Sequence, residues 1–294
     1  MSLQKLQSST MASKNQKIVL GTVQFGLDYG ISNDTGKTSS EEVSKILDTA
    51  YNHGIDILDT AQEYGDSESV LGLHHGNRFK IITKINPIAG DKRSAEQLVQ
   101  QSLQRLNLAK LYGTLFHSAS SARQNPRTVL ELKKLQEQGI IEKLGYSVYT
   151  PDELNELIKL YGRPDIIQIP YNLLDRRFEE IAQNLHNKGV EIHTRSTFLQ
   201  GLFFKSTEEL SGFFQPVTLY LKELKYLFPD KGQLAQALLS YSLSKDFIDY
   251  VVLGVNDDLQ LEENLKTSGA YLDDFPRQLN KIPENILLPY LWPK

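Results

Sequence analysis

Short apolar segments alternate with amphipathic helical segments about eight times along this chain of 294 residues. Three successive apolar segments are Ile55–Asp59, Lys80–Lys84 and Leu111–His117. Apolar strands separated by helices favour a parallel sheet that helices cover. Eight repeats in a chain of this length fit a closed barrel better than an open sheet, so we predict the α/β class and a (β/α)8 TIM barrel. The competing open sheet carries a Gly-x-Gly-x-x-Gly turn when it binds dinucleotides, and the chain has none.

Composition narrows the class of protein. The hydrophobic fraction is 40%, the charged fraction is 23% and the net charge is −4, all ordinary for a globular protein. The mixed charges indicate no nucleic-acid surface, and no apolar run approaches the ~20 residues that span a membrane. The absence of cysteine excludes disulfides, thiolate metal ligands and a cysteine nucleophile. We expect a cytoplasmic protein with a small-molecule partner, and neither a nucleic-acid nor a membrane partner.

The remaining organisation follows from local signals. Residues 1–17 are predicted to be a polar N-terminal extension, and residues 18–294 a single barrel with a C-terminal tail. Gly21 and Gly26, after the first strand, predict a close backbone approach, and Ser40 is predicted to cap the first helix. Residues 27–38, 118–125 and 202–231 are predicted to be loops that supply walls of the pocket, as is the proline-rich tail from residue 271.

Four side chains with acid–base chemistry follow the ends of neighbouring predicted strands. Asp59, Lys84 and His117 end three consecutive strands, and Tyr64 lies in the loop after the first of them. The C-terminal ends of barrel strands face one cleft, and neighbouring strands lie ~4.8 Å apart. We therefore expect the four side chains to converge on one site.

These residue types suit proton transfer to a carbonyl oxygen. A free phenol has a pKa near ~10, and a nearby ammonium lowers that value. Lys84 can supply the ammonium and Asp59 can hold Lys84 in place. His117 can donate to the same oxygen that Tyr64 protonates, so the set is typical of a general acid with a polarising partner.

Each residue also has an ordinary structural interpretation. An Asp after a strand is most often a helix cap, a strand-end Lys is usually a solvated charge, and a lone Tyr is a surface aromatic. The functional interpretation is favoured because all four types fall at corresponding strand ends. No pair of residues has metal-ligand spacing and no Gly-x-Ser-x-Gly elbow occurs, so we predict no metal site. The remaining histidines are assigned mainly structural roles: His53, His74, His75, His186 and His193.

The segment Asp59-Thr-Ala-Gln-Glu-Tyr-Gly65, with the strands to Lys84 and His117, resembles the aldo-keto reductase family. The resemblance covers roughly Ile18 to Gly269. It implies a (β/α)8 barrel, an Asp–Tyr–Lys–His catalytic tetrad and NADPH bound in an extended form across the strand ends.

The resemblance also implies cofactor-binding residues. Arg195 stands where many members place an aromatic ring under the nicotinamide, so we expect its planar guanidinium to stack there. No Lys or Arg lies between Gly254 and Asn264, the segment similar to the adenosine-binding end. We therefore expect a modest preference for NADPH, with NADH possible. The implied set is Gly21, Thr22, Ser147, Gln168, Arg195, Ser196, Phe198, Leu199, Gly201, Gly254, Gln260, Glu263 and Asn264.

The predicted function is reversible hydride transfer between NADPH and an aldehyde, ketone or sugar carbonyl. Two alternatives remain open at this point. One is a Schiff-base lyase that uses Lys84, because barrel aldolases also place a lysine at a strand end. The other is a nicotinamide-sensing regulatory subunit with little turnover, which the family resemblance permits.

Overall fold

Eight parallel strands close into one barrel in sequence order, which confirms the predicted fold. The computed structural model describes residues 17–31, 33, 35–266 and 282–293. The predicted extension, except for its last residue, and tail residues 271–281 lie outside these ranges. The strands are β1 (Ile18–Gly21), β2 (Ile57–Asp59), β3 (Lys80–Ile85), β4 (Leu111–Phe116), β5 (Ile141–Ser147), β6 (Ile166–Pro170), β7 (Glu191–Arg195) and β8 (Tyr250–Gly254).

Helices separate the strands, and the residues that cap these helices can be recognised in the sequence. Ser94 and Thr150 each begin a helix with a capping box, to Gln97 and Glu153 respectively. Ser39, not Ser40, caps the first helix by accepting from the backbone of Glu42. The described helices are α1 (Ser40–Asn52), α2 (Ser67–His74), α3 (Ala95–Leu106), α4 (Ala119–Gln124), α5 (Pro126–Glu137), α6 (Pro151–Tyr161), α7 (Glu179–His186), α8 (Gln215–Leu227), α9 (Lys231–Leu243), α10 (Asp258–Leu265) and α11 (Glu284–Leu287).

Three segments predicted to be loops contain helices, and the tail is one of them because it contains the short helix α11. Segment 118–125 contains α4, which Ser118 caps through the backbone N–H of Ser121. Segment 202–231 contains α8, which buries Val217, Leu221 and Leu224. Helical spacing of these apolar residues lets α8 bury one face in the main core, so the loop prediction is wrong for residues 215–227.

A small apolar cluster fills the barrel interior, apart from the main core between strands and helices. Successive side chains on a strand alternate between its two faces, so residues two apart share a face. The residues two positions beyond four members of the interior cluster are polar, and they face the same side at the C-terminal end of the barrel. The pairs are Ile57 and Asp59, Ile82 and Lys84, Leu115 and His117, and Ile166 and Gln168.

Within the described residues, no helix combines the length and apolar character needed to cross a membrane.

Candidate active site

A buried ion pair between Asp59 and Lys84 forms the base of the candidate site. Nζ of Lys84 lies 2.5 Å from Oδ1 of Asp59 and 3.2 Å from the carbonyl oxygen of Thr60. The two side chains are only 1% (Lys84) and 3% (Asp59) exposed, so solvent screens the pair little. Burial lowers the pKa of Lys84, and the negative charge of Asp59 opposes that shift.

The phenol of Tyr64 contacts this ion pair. Nζ of Lys84 donates a 3.3 Å hydrogen bond to the hydroxyl of Tyr64. An ammonium has no acceptor, so the phenolic O–H remains free to donate to another group. Burial and the charge of Asp59 raise the pKa of Tyr64 well above its ordinary value. We expected Lys84 to lower this pKa, but loss of hydration dominates and Asp59 compensates the lysine charge.

Two glycines seat the loop that holds Tyr64. A Cβ atom on Gly26 would lie 1.8 Å from the carbonyl oxygen of Tyr64, and one on Gly65 would lie 2.3 Å from the carbonyl oxygen of Gly26. Gly65 also has a φ of +57°, in the left-handed region that glycine adopts most readily. The loops after β1 and β2 are therefore in backbone contact, which confirms the predicted close approach at Gly26.

His117 packs beside the phenol. Its ring meets Tyr64 edge to face, with centroids 5.5 Å apart and an interplanar angle of 80°. Nδ1 of His117 lies 2.9 Å from Oε2 of Glu63. Burial lowers the pKa of His117 below its usual range, and the contact with Glu63 opposes that shift. The structure thus brings all four predicted side chains together.

The four residues lie at a cleft of about 460 Å³, within the range of small-molecule sites. Asp59, Tyr64 and His117 line it, and Lys84 lies buried beneath. Leu199, Glu263 and Asn264 are not among the described lining residues, because Leu199 and Asn264 are buried in packing and Glu263 points to solvent. The other predicted cofactor residues line the cleft: Gly21, Thr22, Ser147, Gln168, Arg195, Ser196, Phe198, Gly201, Gly254 and Gln260.

Features of the cleft wall fit an extended polar ligand. Oε1 of Gln24 and Oγ1 of Thr197 are buried without a hydrogen-bond partner in the part of the chain that is described. Buried polar atoms are normally paired, so these two indicate groups that a ligand would satisfy. Ser196, Leu199 and Gln200 have φ values of +66°, +45° and +51°. Residues with such strained backbone angles are often found where a protein holds a ligand, and they can turn N–H groups toward an anion. This arrangement suits the pyrophosphate of a nicotinamide dinucleotide.

Two of the predicted cofactor residues already hold Asp59. Oγ1 of Thr22 donates to the carbonyl oxygen of Asp59 over 3.0 Å. Nε2 of Gln168 donates to Oδ2 of Asp59 over 2.7 Å. Oε1 and the second N–H of Gln168 are left for a carboxamide, beside Ser147, its neighbour in the strand register.

The guanidinium of Arg195 lies on an aromatic ring that we did not predict. Its Cζ is 4.1 Å from the ring centroid of Tyr149, and Nη2 donates to the carbonyl oxygen of Val148 over 3.2 Å. Tyr290 packs edge to face on Tyr149, with centroids 4.9 Å apart. This cation–π contact fixes the planar guanidinium of Arg195 against the ring of Tyr149 in the cleft wall.

Carboxylates surround the N-terminus of α10, in the segment that resembles the adenosine end. Asp257 accepts from the backbone N–H of Gln260 over 2.7 Å, and Glu42 accepts from the N–H of Asp258 over 2.9 Å. Lys45 is paired with Glu42 at 3.0 Å. Acidic side chains thus occupy N–H groups that a phosphate could otherwise use.

The sequence reasoning missed several cleft residues, and four of them contact other residues of the cleft: Glu63, Tyr149, Tyr29 and Gln200. Glu63 directly precedes Tyr64 and Tyr149 lies two positions after Ser147, so their closeness to predicted site residues was an available signal. Tyr29 and Gln200 meet across the mouth of the cleft, where Nε2 of Gln200 donates to the phenol over 2.8 Å. That contact joins positions 171 residues apart, and no local pattern indicates it.

The chain is a closed parallel barrel in which a buried ion pair between Asp59 and Lys84 lies under the phenol of Tyr64, and these groups can take part in acid–base chemistry. Residues 17–278 match the family model described as the aldo/keto reductase family. The match covers most of the chain, so the protein belongs to the aldo-keto reductase family, as predicted. Members of this family are NAD(P)H-dependent oxidoreductases of carbonyl and alcohol groups.

Individual relatives are distant. The chain is 26% identical over 208 residues to oxidoreductase sirO of Leptosphaeria maculans, covering 66% of this chain and 63% of the relative. It is 29% identical over 224 residues to the NADH-specific methylglyoxal reductase of Escherichia coli, covering 64% of this chain and 68% of the relative. The match thus spans about two thirds or less of these curated relatives. The aldo-keto reductase AKR11C1 from Bacillus halodurans has the same fold, with a TM-score of 0.69, 24% identity and 85% of each chain covered.

Proposed function

We propose that this protein is a nicotinamide-dependent reductase of an aldehyde, ketone or sugar carbonyl, able to run in reverse on the alcohol. The main support is the position of Tyr64, whose phenol contacts the Lys84–Asp59 pair and borders His117 in the cleft. The family assignment supports the same chemistry.

Each of the four residues Asp59, Tyr64, Lys84 and His117 has a different role in the proposed proton transfer. A bound nicotinamide supplies the hydride, and Tyr64 gives its free phenolic proton to the carbonyl oxygen. Tyr64 is protonated at neutral pH, as a proton donor must be, but its raised pKa makes it a weaker acid, so it depends on Lys84 to stabilise the phenolate. Lys84 stabilises the phenolate that remains, Asp59 holds Lys84, and His117 orients the carbonyl oxygen.

A screen of cofactor oxidation tests the proposal. Purified protein with reduced cofactor would be offered methylglyoxal, aromatic aldehydes, ketones and sugars, and Tyr64→Phe would be assayed beside it. We expect turnover that the variant lacks. Tight cofactor binding without turnover on any substrate would instead support the regulatory subunit.

The Schiff-base alternative has less support. Lys84 is 1% exposed and donates to Asp59, Thr60 and Tyr64, so its nitrogen is neither accessible nor free to attack a carbonyl. Burial lowers its pKa, which would aid a nucleophile, but access is the first requirement. Borohydride trapping with substrate would reveal an adduct if this alternative were correct.

The cofactor-binding groups would be those of the cleft. We propose that Arg195 stacks on the nicotinamide, backed by Tyr149, and that the 196–201 segment holds the pyrophosphate. Arg195→Ala should weaken both NADH and NADPH by a similar factor in a fluorescence titration. Unchanged affinities would remove the stacking role.

Preference between the cofactors depends on the acidic start of α10. The family resemblance favoured NADPH, but Glu42, Asp257 and Asp258 would repel the nearly two negative charges of a 2′-phosphate, and Lys45 neutralises only one carboxylate. We therefore propose that NADH binds better, as the name of the Escherichia coli relative says of that protein.

A titration with both cofactors measures this preference. We expect NADH to bind about tenfold more tightly, equivalent to ~1.4 kcal/mol. Asp258→Asn should raise the affinity for NADPH and leave that for NADH unchanged. Tighter binding of NADPH by the wild-type protein would restore the original expectation.

A further inference from the structure

One positive charge in the cleft wall has no ion-pair partner among the described residues. Arg195 ends β7 and lines the cleft. Its guanidinium contacts neutral groups, which are the carbonyl oxygen of Val148 at 3.2 Å, Oγ of Ser196 at 3.4 Å and the ring of Tyr149, whose centroid lies 4.1 Å from Cζ. An arginine stays protonated in a protein, so a full positive charge borders the cleft.

The other ionised groups of the site are paired with each other or screened by solvent. Asp59 and Lys84 lie 2.5 Å apart, so their charges cancel. Glu63, the other acidic residue in the described lining, lies 2.9 Å from Nδ1 of His117 and is 51% exposed. Burial lowers the pKa of His117 below its usual range, so this ring adds no charge at neutral pH. No described carboxylate therefore neutralises Arg195 directly.

The charge of Arg195 acts on the centre of the site. Burial is the largest influence on the pKa values of Tyr64 and His117, and the positive charge of Arg195 lowers both values. Tyr149 covers one side of the planar guanidinium, which leaves the other side for the cleft. A ligand ring that reaches these residues therefore meets a cation.

A nicotinamide ring changes its charge when it is oxidised. The reduced ring is neutral and rich in electrons, whereas the oxidised ring carries one positive charge. The pyrophosphate and the adenosine are the same in both forms, so their contacts cancel when the two affinities are compared. A cation attracts the face of a neutral ring and repels a ring that is itself a cation.

We propose that Arg195 selects the oxidation state of the cofactor, because it attracts the neutral reduced ring and repels the oxidised ring. This inference rests on the proposed function, in which the nicotinamide stacks on Arg195. A charge that opposes the wrong ligand is a common source of specificity. For charges in contact at a partly exposed site, we expect a preference of about tenfold for the reduced form.

The preference has opposite effects on binding and on hydride transfer. The reduced cofactor binds even when the oxidised form is in excess, and the oxidised product leaves readily. For given affinities of the carbonyl and the alcohol, linkage requires the equilibrium of hydride transfer on the protein to shift toward the reduced cofactor by the same factor. Arg195 therefore favours use of the site for reduction through binding and release, not through faster chemistry.

Titration calorimetry with the reduced and oxidised forms of NAD, and of NADP, tests the selection without turnover. Within each pair, the wild-type protein should bind the reduced form about tenfold more tightly. Arg195→Gln keeps a planar polar group without the charge and should lose most of this ratio, whereas Arg195→Lys should retain it. Arg127→Gln is the control, because its arginine is 87% exposed and outside the cleft lining, and it should show the wild-type ratio.

Several results would overturn the inference. A wild-type ratio near one, or an equal ratio in the wild type and Arg195→Gln, would each do so. Loss of the ratio in Arg195→Lys would assign the selection to shape instead of charge. Binding of none of the four cofactors would reject the inference together with the proposed function. The expected ratios without turnover of any carbonyl would reject the reductase function alone and leave the selection standing.

Discussion

The barrel contains two sets that each combine a carboxylate, a lysine, a tyrosine and a histidine, one at each end. The upper set consists of Asp59, Lys84, Tyr64 and His117. A lower set, near the N-terminal ends of β4, β5 and β7, consists of Tyr112, Lys143, Glu191 and His193. In the lower set Glu191 accepts from Lys143, from Tyr112 over 2.9 Å and from His193 over 2.7 Å.

The two sets differ in which group lies at their centre. The lower set is centred on a carboxylate, so the phenolic proton of Tyr112 is already used in a hydrogen bond to Glu191. The upper set is centred on an ammonium, which donates to Tyr64 and leaves the phenolic proton available. Tyr64 also lines the cleft, whereas no member of the lower set does. An acid, a base, a phenol and an imidazole therefore suggest catalysis only when the phenol is free to donate and accessible.

Removal of each phenol should give the largest contrast. Tyr64→Phe should lower carbonyl reduction by about 10²–10⁴-fold with cofactor binding intact, because the proposed proton donor is lost. Tyr112→Phe should leave turnover within a few-fold of wild type and cost about 1–3 kcal/mol of stability, since Glu191 loses a hydrogen bond. Steady-state kinetics and urea unfolding measure both. Similar activities for the two variants would contradict the distinction.

Removal of each lysine should give a smaller contrast in stability. Lys84→Met leaves Asp59 as a buried carboxylate without its cation, and breaking such a pair costs about 3–5 kcal/mol. Lys143 is 27% exposed, so Lys143→Met should cost about 1 kcal/mol. Thermal melts would show the difference, and the first variant should also lose turnover. Equal melting temperatures with full activity would make Lys84 an ordinary structural charge.

The smallest expected effect is the pH dependence of the stability that the lower set contributes. Burial tends to raise the pKa of Glu191, but contacts with His193 and Lys143 outweigh it and bring the pKa to about 2, from an ordinary 4.5. A depressed pKa means that Glu191 stabilises the fold above about pH 4.5, and this contribution is lost as the pH falls toward 2.

Glu191→Gln tests this linkage. The variant should be less stable by about 1 kcal/mol at neutral pH, after allowance for partial exposure of the pair. The difference from wild type should shrink between pH 4.5 and 2 in chemical unfolding at each pH. A constant difference would show that packing, not charge, explains the loss.

The upper set could be predicted from sequence because strand periodicity places its members. Asp59, Lys84 and His117 each follow an apolar interior residue by two positions, so they share the inner face at the strand ends. The sign of the Tyr64 pKa shift could not be predicted, because it depends on burial. The lower set was not predicted for another reason. Its contacts depend on how β4, β5 and β7 align in space, and a single sequence does not show that alignment.

The missed helix α8 is a different case. Pro216 lies in its first turn, and Val217, Leu221 and Leu224 have helical spacing. The exposed Leu219 and Tyr226 blur that pattern, because apolar residues then appear on both faces. The cleft contact between Tyr29 and Gln200 is of the opposite kind, since it depends only on tertiary structure.

The backbone contact between Gly26 and Tyr64 has a consequence for laboratory evolution. The loop that begins after Gly26 forms one wall of the cleft, and the same glycine touches the backbone carbonyl oxygen of Tyr64, the proposed proton donor. Exchange of this loop between related barrels, intended to change substrate range, would also move the phenol. Libraries that vary residues 27–38 should therefore hold Gly26 and Gly65 constant, so that changes in specificity can be selected without loss of rate.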